Sequence, residues 1–261
     1  MQIYDAISMA DALDFPNALR QPLQSYLPPD SSQAQSTSDK PWVTLTYATS
    51  LDSMISLQPG VQTLLSGRES KAMTHYLRSR HDAILVGSGT AIADDPGLNC
   101  RLQDAAAQPR PIVLDRRGRW NVTSESRVIR SAREGKGKGP WIFSEVINER
   151  KAAIVQEVGG QIVKIAPDAG LQEVLASLAQ HGIRSVMIEG GATIINQLLR
   201  QAHTSTGPDS VIVTIAPKYL GQGGVMISPA RSSDESSEPV VKFKDVRWLP
   251  LGADIVMLGH V

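Results

Sequence analysis

Between Gly87 and Arg101 the chain sets small residues, a threonine, two carboxylates and an arginine in one short segment: Gly87-Ser88-Gly89-Thr90-Ala91-Ile92-Ala93-Asp94-Asp95-Pro96-Gly97-Leu98-Asn99-Cys100-Arg101. It follows an apolar run, Ala83-Ile84-Leu85-Val86. A strand that ends in a small-residue turn presents backbone N–H groups suited to phosphate oxygens. Thr90 and the amides beside it can hold a cofactor phosphate or amide. Asp94 comes within one helical turn of Thr90 if the segment coils. Arg101 offers a fork of donors to a substrate phosphate. The structural alternative is a loop capped by its aspartates, with Arg101 on the surface.

Three other strand ends carry chemistry. Ser50-Leu51-Asp52-Ser53 follows the alternating run 43–49 and puts Asp52 where a substrate can lie, unless it only shapes an Asx turn. Asp115-Arg116-Arg117 follows Pro111–Leu114, and basic residues there can take the 2′-phosphate of NADP or form a solvated turn. Ile188-Glu189-Gly190-Gly191-Ala192-Thr193 ends a strand in an acid and two glycines and opens a helix. That is a seat for a diphosphate on a helix N-terminus, or a tight turn that needs glycine. It is not a GxGxxG fingerprint. None of the five histidines stands with a serine, cysteine or acid at catalytic or ligand spacing, and His75 is expected at the surface. HExxH, CxxC and GxSxG are absent from the sequence, so no metal site is expected and acyl transfer is disfavoured. Hydride transfer fits, because it asks the protein for little beyond cofactor positioning and a proton source.

The elements that must position these residues alternate. Periodicity predicts strands at 43–49, 83–88, 111–115, 141–144, 162–165, 185–189 and 211–216. It predicts helices over 67–80, 146–157, from Leu171 to near Gly182, and 192–201. Such alternation implies an α/β fold with a mostly parallel sheet covered on both faces. The closing runs 240–247 and 253–258, with no helix between them, should pair antiparallel at an edge. Residues 1–40 read as an N-terminal arm, either docked on the main domain or partly mobile, with an amphipathic helix over 10–27 interrupted at Pro16 and a linker after it. Residues 41–261 form the main domain. The polar segments 131–139, 203–209 and 229–238 read as surface insertions.

The 261 residues are 41% hydrophobic and 20% charged, with zero net charge. This is the make-up of a soluble globular protein without a general attraction to nucleic acid or an anionic membrane. The single cysteine, Cys100, rules out an intrachain disulfide framework and is expected to be half-buried. The first residues lack the features of a signal peptide, and no apolar run reaches the roughly 20 residues of a membrane span, so a cytoplasmic location is expected.

Taken together and in order, Ala48-Thr49-Ser50-Leu51-Asp52, the Gly87–Arg101 loop, Pro111–Asp115 and Glu189-Gly190-Gly191 resemble the riboflavin-biosynthesis reductase family. The likeness covers roughly residues 41–259. It implies a dihydrofolate reductase-like fold and NADPH-dependent reduction of a phosphorylated ribosylaminopyrimidine to its ribitylamino form. The hydride would go to C1′ of the open imine, with Glu189, Asp52 or water assisting the proton. The chain lacks room and cysteines for the zinc deaminase of bacterial members, so it looks like the stand-alone type. By resemblance, Thr90, Asp94 and Val163 contact NADPH, and Ala48 lines the nicotinamide side. Gly190, Gly191, Ala192, Thr193 and Ile194 seat the diphosphate, and Arg116 stands near the adenosine phosphate. Arg78, Leu98, Arg101 and Glu189 match substrate contacts. The family implies a homodimer through the sheet edge, with which the apolar Val240-Val241 and Ile255–Leu258 are compatible. Ser53-Met54 departs from the Gly-Lys usual after Ser-Leu-Asp. Alternatives are a dihydrofolate reductase, against which the arginine pair argues, an inactive NADPH-binding regulatory homologue, or a sugar-phosphate-binding module without redox chemistry.

Overall fold

A computed structural model describes residues 13–29, 40–105, 107–231 and 238–261. The expected linker lies mostly outside these residues, as does most of the segment 229–238. In chain order the elements are α1 (Asn17–Arg20), a 3₁₀ turn (Gln21–Tyr26), β1 (Trp42–Thr49), β2 (Met54–Ser56), α2 (Arg68–Ser79), β3 (Ala83–Gly87), α3 (Ser88–Asp94) and β4 (Arg110–Leu114). There follow α4 (Arg127–Arg133), β5 (Trp141–Ser144), α5 (Glu149–Glu157), β6 (Gln161–Lys164), α6 (Leu171–Gln180), β7 (Ser185–Gly190), α7 (Ala192–Arg200), β8 (Ser210–Ile215), β9 (Val225–Met226), β10 (Lys244–Leu251) and β11 (Asp254–His260).

Nine strands form one sheet in the order β10-β11-β8-β1-β7-β3-β4-β5-β6. From β8 to β6 every pairing is parallel, while β11 runs antiparallel to β8 and β10 antiparallel to β11. The alternation of strands with helices dictates the parallel part, because each crossover returns the chain to the same end of the sheet. Central strands are apolar throughout, since both faces are covered. In β3, Ala83 to Val86 are all inaccessible to solvent. Alternate residues divide them between two cores. Leu85 and Ile188 pack on one face with α6 and α7. Ile84 and Val86 pack on the other with α4 and α5, and Met187 packs there with α2. The edge strand β10 is mostly exposed.

Two expectations need correction. Of the helix expected over 10–27, residues 10–12 lie outside the described residues, and over 13–27 there is only the short α1 and a 3₁₀ turn, because Pro16 and Pro22 interrupt α-helical bonding. Its side chains are not peripheral, however. Phe15, Leu23 and Tyr26 are buried against α2 and β11. The closing strands begin later than expected, at 244 and 254, and turn at Gly252, whose positive φ of 62° suits glycine. Within the segment 131–139, the first residues finish helix α4, an element the sequence reading did not predict. Among the described residues, no helix is long and apolar enough to cross a membrane.

Candidate active site

Strands β3 and β7 are neighbours, yet the helices that follow them leave on opposite faces. Ala91 of α3 packs with β4 and α4, whereas Ile194 and Ile195 of α7 pack with α6. This divergence opens a crevice at the carboxyl ends of the two strands, the place where open α/β sheets bind ligands. A cleft of about 840 Å³ occupies it. Its walls include Thr90 and Asp94 from α3, Gly191, Ala192, Thr193 and Ile194 from α7, and Arg116, Arg117 and Arg119 after β4.

Close approach of α3 and α7 is a backbone achievement. Gly190 and Gly191 hold φ of 95° and 93°, which L side chains rarely adopt. A Cβ on Gly190 would lie 2.5 Å from Cγ1 of Ile195, and one on Gly191 would lie 3.3 Å from Oγ1 of Thr90. The threonine turn and the double-glycine turn therefore face each other across one cleft. The first amides of α7, which have no partner within the helix, open onto it. These features fit a dinucleotide: a glycine cradle for the diphosphate and a basic end for an adenosine phosphate.

At the basic end the three arginines differ. Arg116 donates from Nε to Glu145 Oε1 at 3.0 Å and from Nη2 to the Pro167 carbonyl. Arg119 donates from Nη2 to Ser88 Oγ at 3.0 Å. Arg117 is exposed, lines the cleft and has no ion-pair or hydrogen-bond partner among the described residues. Buried Asp115 sets this turn by accepting from the amides of Arg119 and Trp120.

Behind Asp94 the character changes from backbone to charge. Arg78, in the last turn of α2, donates from Nε to Glu189 Oε1 at 2.9 Å and from Nη2 to Oε2 at 2.8 Å. Its Nη1 donates to the Asn99 carbonyl at 3.0 Å. The side chains are only 13% and 19% exposed, so the pair is weakly screened. Asp94 stands between this pair and the cleft. Burial raises its pKa first, and the Glu189 charge raises it further. Its carboxyl accepts no hydrogen bond among the described residues, which leaves it available to a ligand.

The sequence-predicted residues thus sort by role. Glu189 is present at the site, but both its oxygens are engaged by Arg78. Asp52 accepts from the Ser50 hydroxyl and from the amides of Leu220 and Gly221, and these bonds hold its pKa down to about 2. It anchors the 216–221 loop through these amides. Leu98 points inward and is 1% exposed, so its side chain cannot touch a ligand. Its φ of 53° and that of Asp95 at 38° instead bend the loop that brings Arg101 back to α2. Leu13 clamps the same loop, its amide donating to the Arg101 carbonyl at 2.9 Å. Ala48 pairs with Thr214 in the sheet, and Val163 packs on the far strand β6; neither lines the 840 Å³ cleft. Ser53 takes φ of 63° and makes the turn usual for glycine, while Met54 is buried. His75 is 2% exposed rather than superficial, and Cys100, 4% exposed, donates from Sγ to the His75 carbonyl.

A parallel sheet with this crevice, and a half-buried arginine–carboxylate pair beside it, defines a ligand-binding α/β domain. A family model described as the RibD C-terminal domain matches residues 41–257, and the chain belongs to that family. It is 41% identical over 254 residues to the 2,5-diamino-6-ribosylamino-4(3H)-pyrimidinone 5′-phosphate reductase of Eremothecium gossypii, covering 92% of this chain and 94% of that one. The reductase of the same name from Saccharomyces cerevisiae is 40% identical over 247 residues, covering 93% of this chain and 95% of that one. A solved structure of the Saccharomyces riboflavin biosynthesis reductase Rib7 superimposes with a TM-score of 0.72 at 34% identity, covering 93% of this chain and 98% of that one.

Proposed function

We propose that this protein reduces 2,5-diamino-6-ribosylamino-4(3H)-pyrimidinone 5′-phosphate to its ribitylamino form with NADPH. The observation that carries the reading is the single cleft joining the threonine turn to the double-glycine turn, whose wall residue Asp94 lies beside the half-buried Arg78–Glu189 pair. When bound, the reduced nicotinamide supplies a hydride to C1′ of the open imine.

The chain's own residues do the rest. Gly190 and Gly191 let the diphosphate lie against backbone amides of α7. Arg117 meets the 2′-phosphate, because it is the exposed and uncommitted guanidinium at that end, while Arg116 braces the turn. The Arg78–Glu189 pair orients the substrate's polar groups without exchanging protons. Asp94 delivers the proton to the imine nitrogen as C1′ accepts the hydride. Burial and a neighbouring carboxylate both favour its protonated form. This assignment replaces Asp52 and Glu189 as proton source.

An apolar strip at the sheet edge supports a homodimer. Trp248 pairs with Met257 across β10 and β11, and Trp248, Val246 and Ile255 remain 56%, 41% and 39% exposed. The deciding experiment follows NADPH oxidation with the ribosylaminopyrimidine phosphate, with dihydrofolate as control. Turnover of the pyrimidine alone is expected. Turnover of dihydrofolate alone, or NADPH binding without oxidation, would end the proposal.

A further inference from the structure

We propose that residues 13–27 are a positioning strap for the substrate half of the site, and that Leu13 and Arg20 act by holding the 99–104 loop from its outer side. This deepens the function proposed above and rests on it for the identity of the ligand.

Residues 99–104 belong to no helix or named strand, so their backbone groups must find partners elsewhere. On the inner side, His75 accepts from the Arg101 amide at 3.0 Å, and Arg78 donates from Nη1 to the Asn99 carbonyl at 3.0 Å. Gln108 brackets Cys100, accepting from its amide at 2.7 Å and donating to its carbonyl at 3.0 Å. The outer side belongs to the strap. Leu13 donates its amide to the Arg101 carbonyl at 2.9 Å and accepts from the Gln103 amide at 3.2 Å, which makes one rung of a parallel ladder with Leu102.

Arg20 adds a second tie. Its Nη1 meets Asp104 Oδ2 at 2.8 Å, its Nε donates to the Phe15 carbonyl at 2.8 Å, and its guanidinium lies 5.0 Å above the Tyr76 ring of α2. One planar fork therefore joins strap, loop and helix, a task the point charge of a lysine does not fulfil. The strap itself is well anchored. Phe15, Leu23 and Tyr26 are buried, and Gln24 donates to the Tyr76 hydroxyl at 2.8 Å. Tyr26 stacks on His260 of β11 at 4.9 Å and donates to the Asp245 carbonyl of β10. Fixed on α2 and on the closing hairpin, it gives the loop a firm outer wall.

The consequence reaches the ion pair. Among the described residues, Arg78 hydrogen-bonds Glu189 and, outside that pair, the Asn99 carbonyl. A loop that drifts outward takes this carbonyl with it and loosens Arg78. Among the described residues, none of 13–27 or 99–104 lines the dinucleotide cleft, so the strap serves the second ligand and not the cofactor.

The test compares KM for both substrates and the thermal midpoint across variants. Leu13→Pro removes the amide that holds Arg101, whereas Leu13→Ala keeps it and trims packing alone. Both should lower the midpoint, but only Leu13→Pro should raise the pyrimidine KM, about fivefold or more, with the NADPH KM unchanged. Arg20→Met should act in the same direction, and Arg20→Lys should recover only part of the loss. Arg150→Met, an exposed charge on α5, should change nothing. In the wild type, hydrogen exchange at the Leu13 and Gln103 amides should slow together when the ribosylaminopyrimidine phosphate is added without NADPH, a readout independent of variant folding. Unchanged pyrimidine KM in both Leu13→Pro and Arg20→Met, an equal rise in Leu13→Ala, a parallel rise in the NADPH KM, or amides that ignore the pyrimidine each overturns the strap. Pyrimidine turnover alongside any of these results leaves the function standing. Slowed exchange at both amides with no NADPH oxidation keeps the strap and ends the function.

Discussion

The two halves of the site lie at the ends of the same strands and are made of different material. The outer half is backbone: glycines at positive φ, the first amides of α7 and a threonine hydroxyl. The inner half is side chain: the Asp94 carboxyl and, behind it, a half-buried arginine–carboxylate pair. Backbone suits a ligand whose diphosphate recurs in every cofactor molecule, because helix amides and glycine turns give a close fit with little side-chain entropy to lose. Charge suits the ligand that must be distinguished, because half-buried charged groups penalise any molecule lacking matching partners.

That contrast can be broken from either side. The largest effect is expected at Gly190. Gly190→Ala combines strain at φ of 95° with a 2.5 Å clash against Ile195. It should destabilise the fold by about 3 kcal/mol or more and lower the thermal midpoint by roughly 6 °C or more, with loss of NADPH binding by fluorescence titration. A variant that binds NADPH normally would show that the outer half is not set by backbone geometry. Next comes Asp94→Asn, which should cut kcat about 100-fold with little change in either KM. In the wild type, the rate should fall as pH rises through the raised pKa of Asp94, because the protonated form is the active one. The Asn variant should lose that limb, and a retained limb would assign the proton elsewhere.

Arg117→Ser tests the basic end of the outer half. KM for NADPH should rise about tenfold while KM for NADH stays put, which narrows the preference between them. Equal effects on both cofactors would remove Arg117 from 2′-phosphate recognition. The smallest effect belongs to Asp52→Asn. Turnover near neutral pH should be unchanged, because Asp52 holds a loop and not a proton. Since folding depresses its pKa from 3.8 to about 2, its contribution is present above the unfolded value and is lost as pH falls through that window. Acid unfolding should therefore begin at slightly higher pH in the variant, and a large kcat loss at neutrality would restore Asp52 to the chemistry.

Legibility followed the same division. Strand ends and turns can be read locally, because glycine needs and hydrophobic periodicity are properties of neighbouring residues. Thus β5 at 141–144, α7 at 192–200 and the Gly190-Gly191 turn were all visible in the chain. So were Thr90 and Asp94, which share α3 at helical spacing. Where the N-terminal segment packs was not legible, because an apolar Phe15 or Tyr26 announces burial without saying against what. The partners of Asp52, the amides of Leu220 and Gly221, were not legible because they lie far along the chain. Leu98 matched a motif, yet the motif could not show that its side chain turns into the core.

What the sequence determined by itself was the sheet's parallel order of construction and the backbone-built lip of the cleft. Periodicity and glycine placement act over a few residues, and the fold has little freedom to override them. Only the tertiary structure decided which charges meet. Lys71 and His75 on α2, Arg101 on a bent loop and Arg127 on α4 are neighbours only because three separate segments pack on one face of the sheet. Electrostatic coupling depends on distance and burial, and neither is encoded at any single position.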